Sequence, residues 1–98
     1  MPAYIIANVE VTDPALYEQY RAQVPAIIAK YGGRYLARGG ASQVLEGNTA
    51  AHRMVILEFA DMAALKAFHG SPEYQPLIAL RQRASNSSLL AVEGYVPA

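Results

Sequence analysis

The stretch that decides the fold is residues 31–59, YGGRYLARGGASQVLEGNTAAHRMVILEF. It opens on a helix stop at Gly32-Gly33, where one glycine is expected at positive φ. Arg34 to Arg38 then reads as a strand, with Tyr35 and Ala37 alternating against Arg34, Leu36 and Arg38. Gly39-Gly40 predicts a bulge that re-aims the chain, and Gln43 to Glu46 continues extended. Gly47-Asn48 predicts a hairpin turn. His52 to Phe59 is the returning strand, with Val55, Leu57 and Phe59 opposite Met54, Ile56 and Glu58. Two successive strands with no helix between them make a hairpin.

Working outward, Ala3 to Val11 reads as a first strand, with Ile5, Ala7, Val9 and Val11 on one face and Tyr4, Ile6, Asn8 and Glu10 on the other. Asp13-Pro14 starts a helix, because aspartate accepts bonds from first-turn N–H groups and proline suits the first helical position. Leu16, Tyr20, Val24, Ile27 and Tyr31 form its apolar stripe, widened by Tyr17 and Ile28, and Pro25 predicts a kink. Downstream, Asp61 caps a short helix that carries Leu65 and Phe68 and ends at Gly70. A second helix runs from Ser71-Pro72, or from Pro76, to about Ala84 with Leu77 and Leu80 inward. Ser85 to Ser87 reads as a loop and Ser88 to Tyr95 as a fourth strand. The order β-α-β-β-α-β, with two right-handed crossovers, gives a ferredoxin-like α+β fold: a four-stranded antiparallel sheet in the order 4-1-3-2 with both helices on one side.

Ninety-eight residues make a single domain spanning 1–98. Hydrophobic residues are 53% and charged residues 16%, against roughly 25% charged in average soluble chains. The formal net charge is zero, so the basic footprint of a nucleic-acid binder is missing. Cysteine is absent, which removes disulfides, thiol catalysis and thiolate metal sites. No apolar run approaches the roughly 18 residues of a membrane span, and Met1-Pro2-Ala3-Tyr4 does not resemble a secretory leader, so a cytoplasmic protein is expected.

Two helices cover only one side of such a sheet. Strand parity assigns Ile5, Ala7, Val9, Tyr35, Ala37, Val55, Leu57, Phe59, Leu90 and Val92 to the helix side. The opposite side receives Tyr4, Ile6, Asn8, Leu36, Met54, Ile56, Leu89 and Ala91, with the charges Arg34, Arg38, Glu58 and Glu93. A face this apolar calls for cover, and packing two copies sheet to sheet across a two-fold axis supplies it. The expected partner is a second copy of the chain, docked through the helix-free face.

The run YGGRYLARGG at 31–40, LEG at 45–47, LEF at 57–59, SPEY at 71–74 and VEG at 92–94, with Asp13-Pro14, Tyr17 and Tyr20 upstream, resembles the bacterial family called domain of unknown function 1330. The resemblance spans nearly the whole chain and implies membership of the dimeric α+β barrel proteins, hence the same face-to-face dimer. It names no activity. The wider group includes cofactor-free monooxygenases, lactone isomerases and haem-dependent enzymes, so fold does not give function. Pro76 departs from the pattern, where a better helix former is expected after SPEY.

Arg38 and Glu58 stand out as opposite charges assigned to one otherwise apolar face of neighbouring strands. They read either as a catalytic pair, Arg38 holding a carboxylate or enolate while Glu58 acts as base, or as a closed structural ion pair. Tyr4, Asn8 and Arg34 share the face and are substrate-binding candidates, though each also has a structural reading. Tyr74 and Arg81, seven residues apart on one helix face, complete the candidates, with Glu46, Glu58 or a ligand as partners. His52 and His69 lack metal-ligand spacing, and no GxSxG serine or phosphate loop exists. The reading is therefore a small homodimer, either an enzyme without cofactor or metal that moves a proton on a small anionic or carbonyl compound between the sheets, or a non-catalytic ligand-binding or structural dimer.

Overall fold

The computed structural model describes residues 1–97 as one sheet with a layer of helices on one side. The elements are β1 (Ala3–Val11), α1 (Pro14–Lys30), β2 (Arg34–Arg38), β3 (Arg53–Phe59), α2 (Met62–His69), α3 (Gln75–Ala84) and β4 (Ser85–Glu93). The strand order β2-β3-β1-β4 is the expected 4-1-3-2 read from the other edge. All three pairings are antiparallel.

Local chemistry starts and stops the helices as the residue types demand. The Asp13 carboxylate accepts from the Leu16 N–H at 3.1 Å, and that of Asp61 from the Ala64 N–H at 2.8 Å. The helix α1 runs through Pro25 without ending, then stops at Gly32, which takes φ +77°. Gly33 is required for a different reason: a Cβ there would stand 2.6 Å from the Phe59 ring. The turn 71–74 is held by the Tyr74 N–H donating to the Ser71 carbonyl and hydroxyl, and by the Glu73 carboxylate bonding Lys30 and the Tyr31 hydroxyl. Pro76 then falls in the first turn of α3, where its missing N–H costs nothing. The departure at Pro76 is thereby absorbed, and α3 begins at Gln75 rather than at Ser71.

The core is aromatic at its centre. The Phe68 ring stacks between Tyr74, with ring centroids 4.4 Å apart, and Phe59, at 5.3 Å. These three side chains are fully buried, each stabilising the fold by roughly 1.5–3 kcal/mol through removal of apolar surface from water. From α1 the core takes Tyr17, Tyr20, Val24 and Ile28, a stripe rotated slightly from the one centred on Leu16 and Ile27.

Three expectations about the strands are corrected. Residues 85–87 are not a loop: β4 begins at Ser85, directly after α3, and the Ala84 carbonyl accepts from the N–H groups of Thr12 and Asp13. Residues 43–46 form no strand, and the hairpin closes through a long irregular segment from 40 to 52 rather than a tight turn. The parity of β4 is the reverse of that expected. Ile6 faces Leu90, Tyr4 faces Val92, and Ala7 faces Leu89, so Leu90 and Val92 lie on the helix-free side and Leu89, Ala91 and Glu93 have helix-side parity. The four consecutive apolar residues Leu89 to Val92 give period-2 reasoning no contrast, and only the strand's register on β1 fixes the face.

The correction that matters most for function lies in β2. Arg34 faces Glu58 and Tyr35 faces Leu57, but Ala37 faces Ile56 and Arg38 faces Val55. One extra residue, Leu36, sits between the pairs, so the bulge comes three residues before Gly39. Among the described residues no non-glycine takes a positive φ, so this bulge needs no glycine and leaves no mark in the sequence. Its effect is to turn Arg38 onto the helix side and Ala37 onto the open side.

Candidate functional site

The helix-free face carries three cross-strand rows. Val92, Tyr4, Glu58 and Arg34 form one, Leu90, Ile6, Ile56 and Ala37 the next, and Ser88, Asn8 and Met54 the third. Arg34 Nε donates to Glu58 Oε1 at 2.7 Å, with the arginine side chain 70% exposed and the glutamate 22%. Glu58 thus has a partner, and it is Arg34. Asn8 binds the end of the long loop: its Nδ2 donates to the Ala50 carbonyl at 2.7 Å, and its Oδ1 accepts from the His52 N–H at 3.0 Å. A groove of about 680 Å³ lies beside Asn8, between the sheet and the 40–51 loop, lined mostly by small and apolar side chains.

The other candidates gather on the opposite side of the sheet. Two helical turns bring Tyr74 and Arg81 together, and Arg81 Nη1 donates to the Tyr74 hydroxyl at 2.9 Å. Their third member comes from α1, where the Tyr20 hydroxyl lies 2.8 Å from that of Tyr74. Arg81 Nε reaches the Ser87 hydroxyl on β4 at 3.2 Å. Arg81 is only 6% exposed, and among the described residues no carboxylate lies within ion-pair distance of it. A guanidinium stays protonated even when buried, so phenol and serine oxygens carry the task of solvating it. Neither Glu46 nor Glu58 takes part.

Tyr20, Tyr74 and Arg81 line a partly open cavity of about 40 Å³ between the helix layer and the sheet, room for a few waters. Ile5, Ala7, Val24, Ile28, Val55 and Leu57 make its apolar walls. Toward the β2 edge it is bordered by Arg21, Arg38, Arg53, Tyr17 and Tyr35. Four arginines and no acidic residue line it. Arg21 is neutralised from outside by both oxygens of Glu18. Arg38 lies with Cζ 4.7 Å from the Tyr35 ring centroid, and Arg53 with Cζ 5.8 Å from that of Tyr17.

The phenols respond to this setting. Burial, and then the neighbouring Tyr74, push the Tyr20 phenol well above the usual tyrosine range. Burial also raises Tyr74, but the Tyr20 hydroxyl and the Arg81 guanidinium oppose it by stabilising a Tyr74 phenolate. Both are therefore phenols at neutral pH. Two phenols hold two O–H protons, and their mutual bond uses one. Arg81 has protons only to give, so one phenol O–H is left over, on residues that line the cavity.

Arg38 and Glu58 are consequently separated by the sheet rather than paired, because the Leu36 bulge reverses Arg38. Tyr4, Asn8 and Arg34 stand with Glu58 on the open face; Arg38, Tyr74 and Arg81 stand on the helix side. Sequence reasoning missed Arg53, Tyr20, Tyr17 and Tyr35 as members of one cavity. A signal for Arg53 existed: it shares the odd-numbered parity of Val55, Leu57 and Phe59, so it is a charge on the core stripe of its strand. Among the described residues no group of three or more histidines, aspartates or glutamates is placed to hold a metal, and no helix is long and apolar enough to cross a membrane.

A split βαβ sheet, bare on one face and enclosing a phenol–arginine cavity on the other, defines a ferredoxin-like α+β protein. The family model described as domain of unknown function (DUF1330) matches residues 2–95, and the chain belongs to that family. No curated protein matches it. Among solved structures it is similar to a protein of unknown function from Rhodopseudomonas palustris, with 20% identity, a TM-score of 0.77, and coverage of 98% of this chain and 84% of that one. A dimeric ferredoxin-like protein of unknown function from a Jannaschia species is 18% identical, with a TM-score of 0.68 and coverage of 98% and 100%. SnoaB from Streptomyces nogalater, described as a cofactor-independent oxygenase, is 15% identical, with a TM-score of 0.63 and coverage of 98% and 95%. At these identities the likeness establishes the fold.

Proposed function

We propose that this protein is a cytoplasmic homodimer that binds a small enolic, phenolic or carbonyl compound between helices and sheet in each subunit, and assists loss of its proton. The single observation behind this reading is the Tyr20–Tyr74–Arg81 chain, buried in a cavity without a carboxylate. A ligand hydroxyl entering there meets a free phenol O–H and a guanidinium. Its O–H bond breaks, the proton leaves to water at the β2 edge, and the electron pair stays on an oxygen that Tyr74 and Arg81 stabilise. Arg38 and Arg53 add positive potential at the mouth. The bond from Arg34 supports reading Glu58 as an ion-paired residue of the open face rather than as a base. The homodimer rests on the apolar open face, where Leu90 is 67% and Val92 46% exposed in the single chain. The neighbour described as a cofactor-independent oxygenase is compatible with chemistry done by side chains on a polarised substrate.

A second reading, binding without turnover, is favoured by one observation: every ionisable residue lining the cavity is a phenol or a guanidinium, and none is a base at neutral pH. The two readings share a test. The chromophore p-nitrophenol absorbs differently as phenol and phenolate. Bound to the wild type, its ionisation is expected to move to lower pH, and Tyr74→Phe is expected to remove most of that shift. Binding with an unshifted ionisation, or no binding, would refute the site.

A further inference from the structure

The cavity holds more positive charge than the Tyr20–Tyr74–Arg81 chain explains. Arg21 has Glu18 and Arg81 has phenol and serine oxygens, whereas Arg38 and Arg53 lie against aromatic faces without an ion pair among the described residues, and the Glu18 carboxylate, held by Arg21, acts on them only through space. Arg53 Nε is removed from solvent and has no hydrogen-bond partner, alone among the buried side-chain nitrogens and oxygens of the described residues. An N–H of a charged group buried without an acceptor is a place where an acceptor belongs. The backbone makes room for this guanidinium: Gly39 takes φ +70°, and a Cβ on it would collide with Arg53 Nη1. The Gly39 N–H donates to the Met54 carbonyl at 2.8 Å, which fixes the glycine over the arginine. Arg38, placed on the helix side of the exposed edge strand by the Leu36 bulge, borders the same end of the cavity.

We infer that Arg53 and Arg38 receive a carboxylate, so that the ligand is an aromatic or enolic acid whose arm lies at these two guanidiniums and whose ionisable oxygen lies at Tyr74 and Arg81. This deepens the proposed function and rests on it. The planar forks of two arginines match the two oxygens of a carboxylate, whereas the apolar walls between Arg53 and Arg81 suit a ring or a short unsaturated chain. The cavity of about 40 Å³ is smaller than such a compound, so entry requires Arg38 and Tyr35, on the edge strand, to swing outward.

The test compares 4-hydroxy-3-nitrophenylacetate with its methyl ester by spectrophotometric titration of the full chain. Both carry the same chromophoric phenol; only the acid carries the arm. The wild type is expected to bind the acid about tenfold or more tighter than the ester, the worth of one charge-assisted contact. That ratio is expected to fall to near one in Arg53→Gln and in Arg38→Gln, the latter on an exposed edge position that should not compromise folding. Ionisation of both phenols with equal affinities would overturn the carboxylate site alone. Failure of both to bind would overturn the proposed function and this inference with it. Competition stronger with inorganic phosphate than with acetate, at matched ionic strength, would overturn the choice of carboxylate.

Discussion

Replacing Tyr74 by phenylalanine isolates the hydroxyl that joins the two helices. The ring is 1% exposed and stacks on Phe68, so phenylalanine keeps the packing and deletes only the oxygen. That oxygen accepts from Arg81 Nη1 at 2.9 Å and lies 2.8 Å from the Tyr20 hydroxyl. A hydrogen bond to a charged group is worth about 1.5–3 kcal/mol and a neutral one about 0.5–1.5 kcal/mol. The cavity of about 40 Å³ can seat a water where the oxygen was, which returns part of the loss. The expected cost is about 2–3 kcal/mol. For a domain of this size, about 4–8 °C per kcal/mol makes that a fall of roughly 8–24 °C in melting temperature. Tyr20→Phe removes only the neutral bond, since Tyr74 keeps Arg81, and is expected to cost about 1 kcal/mol. The two substitutions share one bond, so the double variant should cost less than their sum by about 1 kcal/mol. Thermal and urea unfolding at one fixed protein concentration measure all three, because the proposed dimer would make stability concentration-dependent. A Tyr74→Phe protein no less stable than Tyr20→Phe, or strictly additive costs, would refute the hydrogen-bonded chain.

Two further outcomes follow from the same structure. Both buried phenols have folded pKa values above their unfolded values, so their contribution is complete below pH ~10 and is lost as pH rises toward the folded values. Stability should therefore decline above pH ~10 by about 1.4 kcal/mol per pH unit for each phenol that the unfolded chain ionises first, and Tyr20→Phe should make the decline shallower; an unchanged slope would contradict the burial of that group. On the open face, Leu90→Asp should give a folded monomer in sedimentation experiments, since a leucine 67% exposed in the single chain contributes little to the monomer's own stability. A variant that stays dimeric, or a wild type that is monomeric at micromolar concentration, would exclude that face as the interface.

Residue pattern alone determined the element order, the helix starts at Asp13 and Asp61, the stop at Gly32 and the antiparallel sheet of order 4-1-3-2. These features are local: a cap, a glycine at positive φ, or an alternation acts over a few residues and leaves its mark there. The excess of apolar residues also located a sheet face without cover, and two helical turns placed Tyr74 and Arg81 on one face, though the partners expected for them were Glu46, Glu58 or a ligand and their bond to each other emerged only from the structure. Only the tertiary structure decided which face Arg38 joins. One additional residue in β2 inverts everything after it, and a bulge that needs no positive φ leaves no mark in the sequence. The same holds for β4, whose uniformly apolar run took its facing from register with β1. The Tyr20 hydroxyl and the Arg53 guanidinium enter the site for a like reason: their partners lie on other elements, and a contact between elements exists only once the sheet and helices have packed.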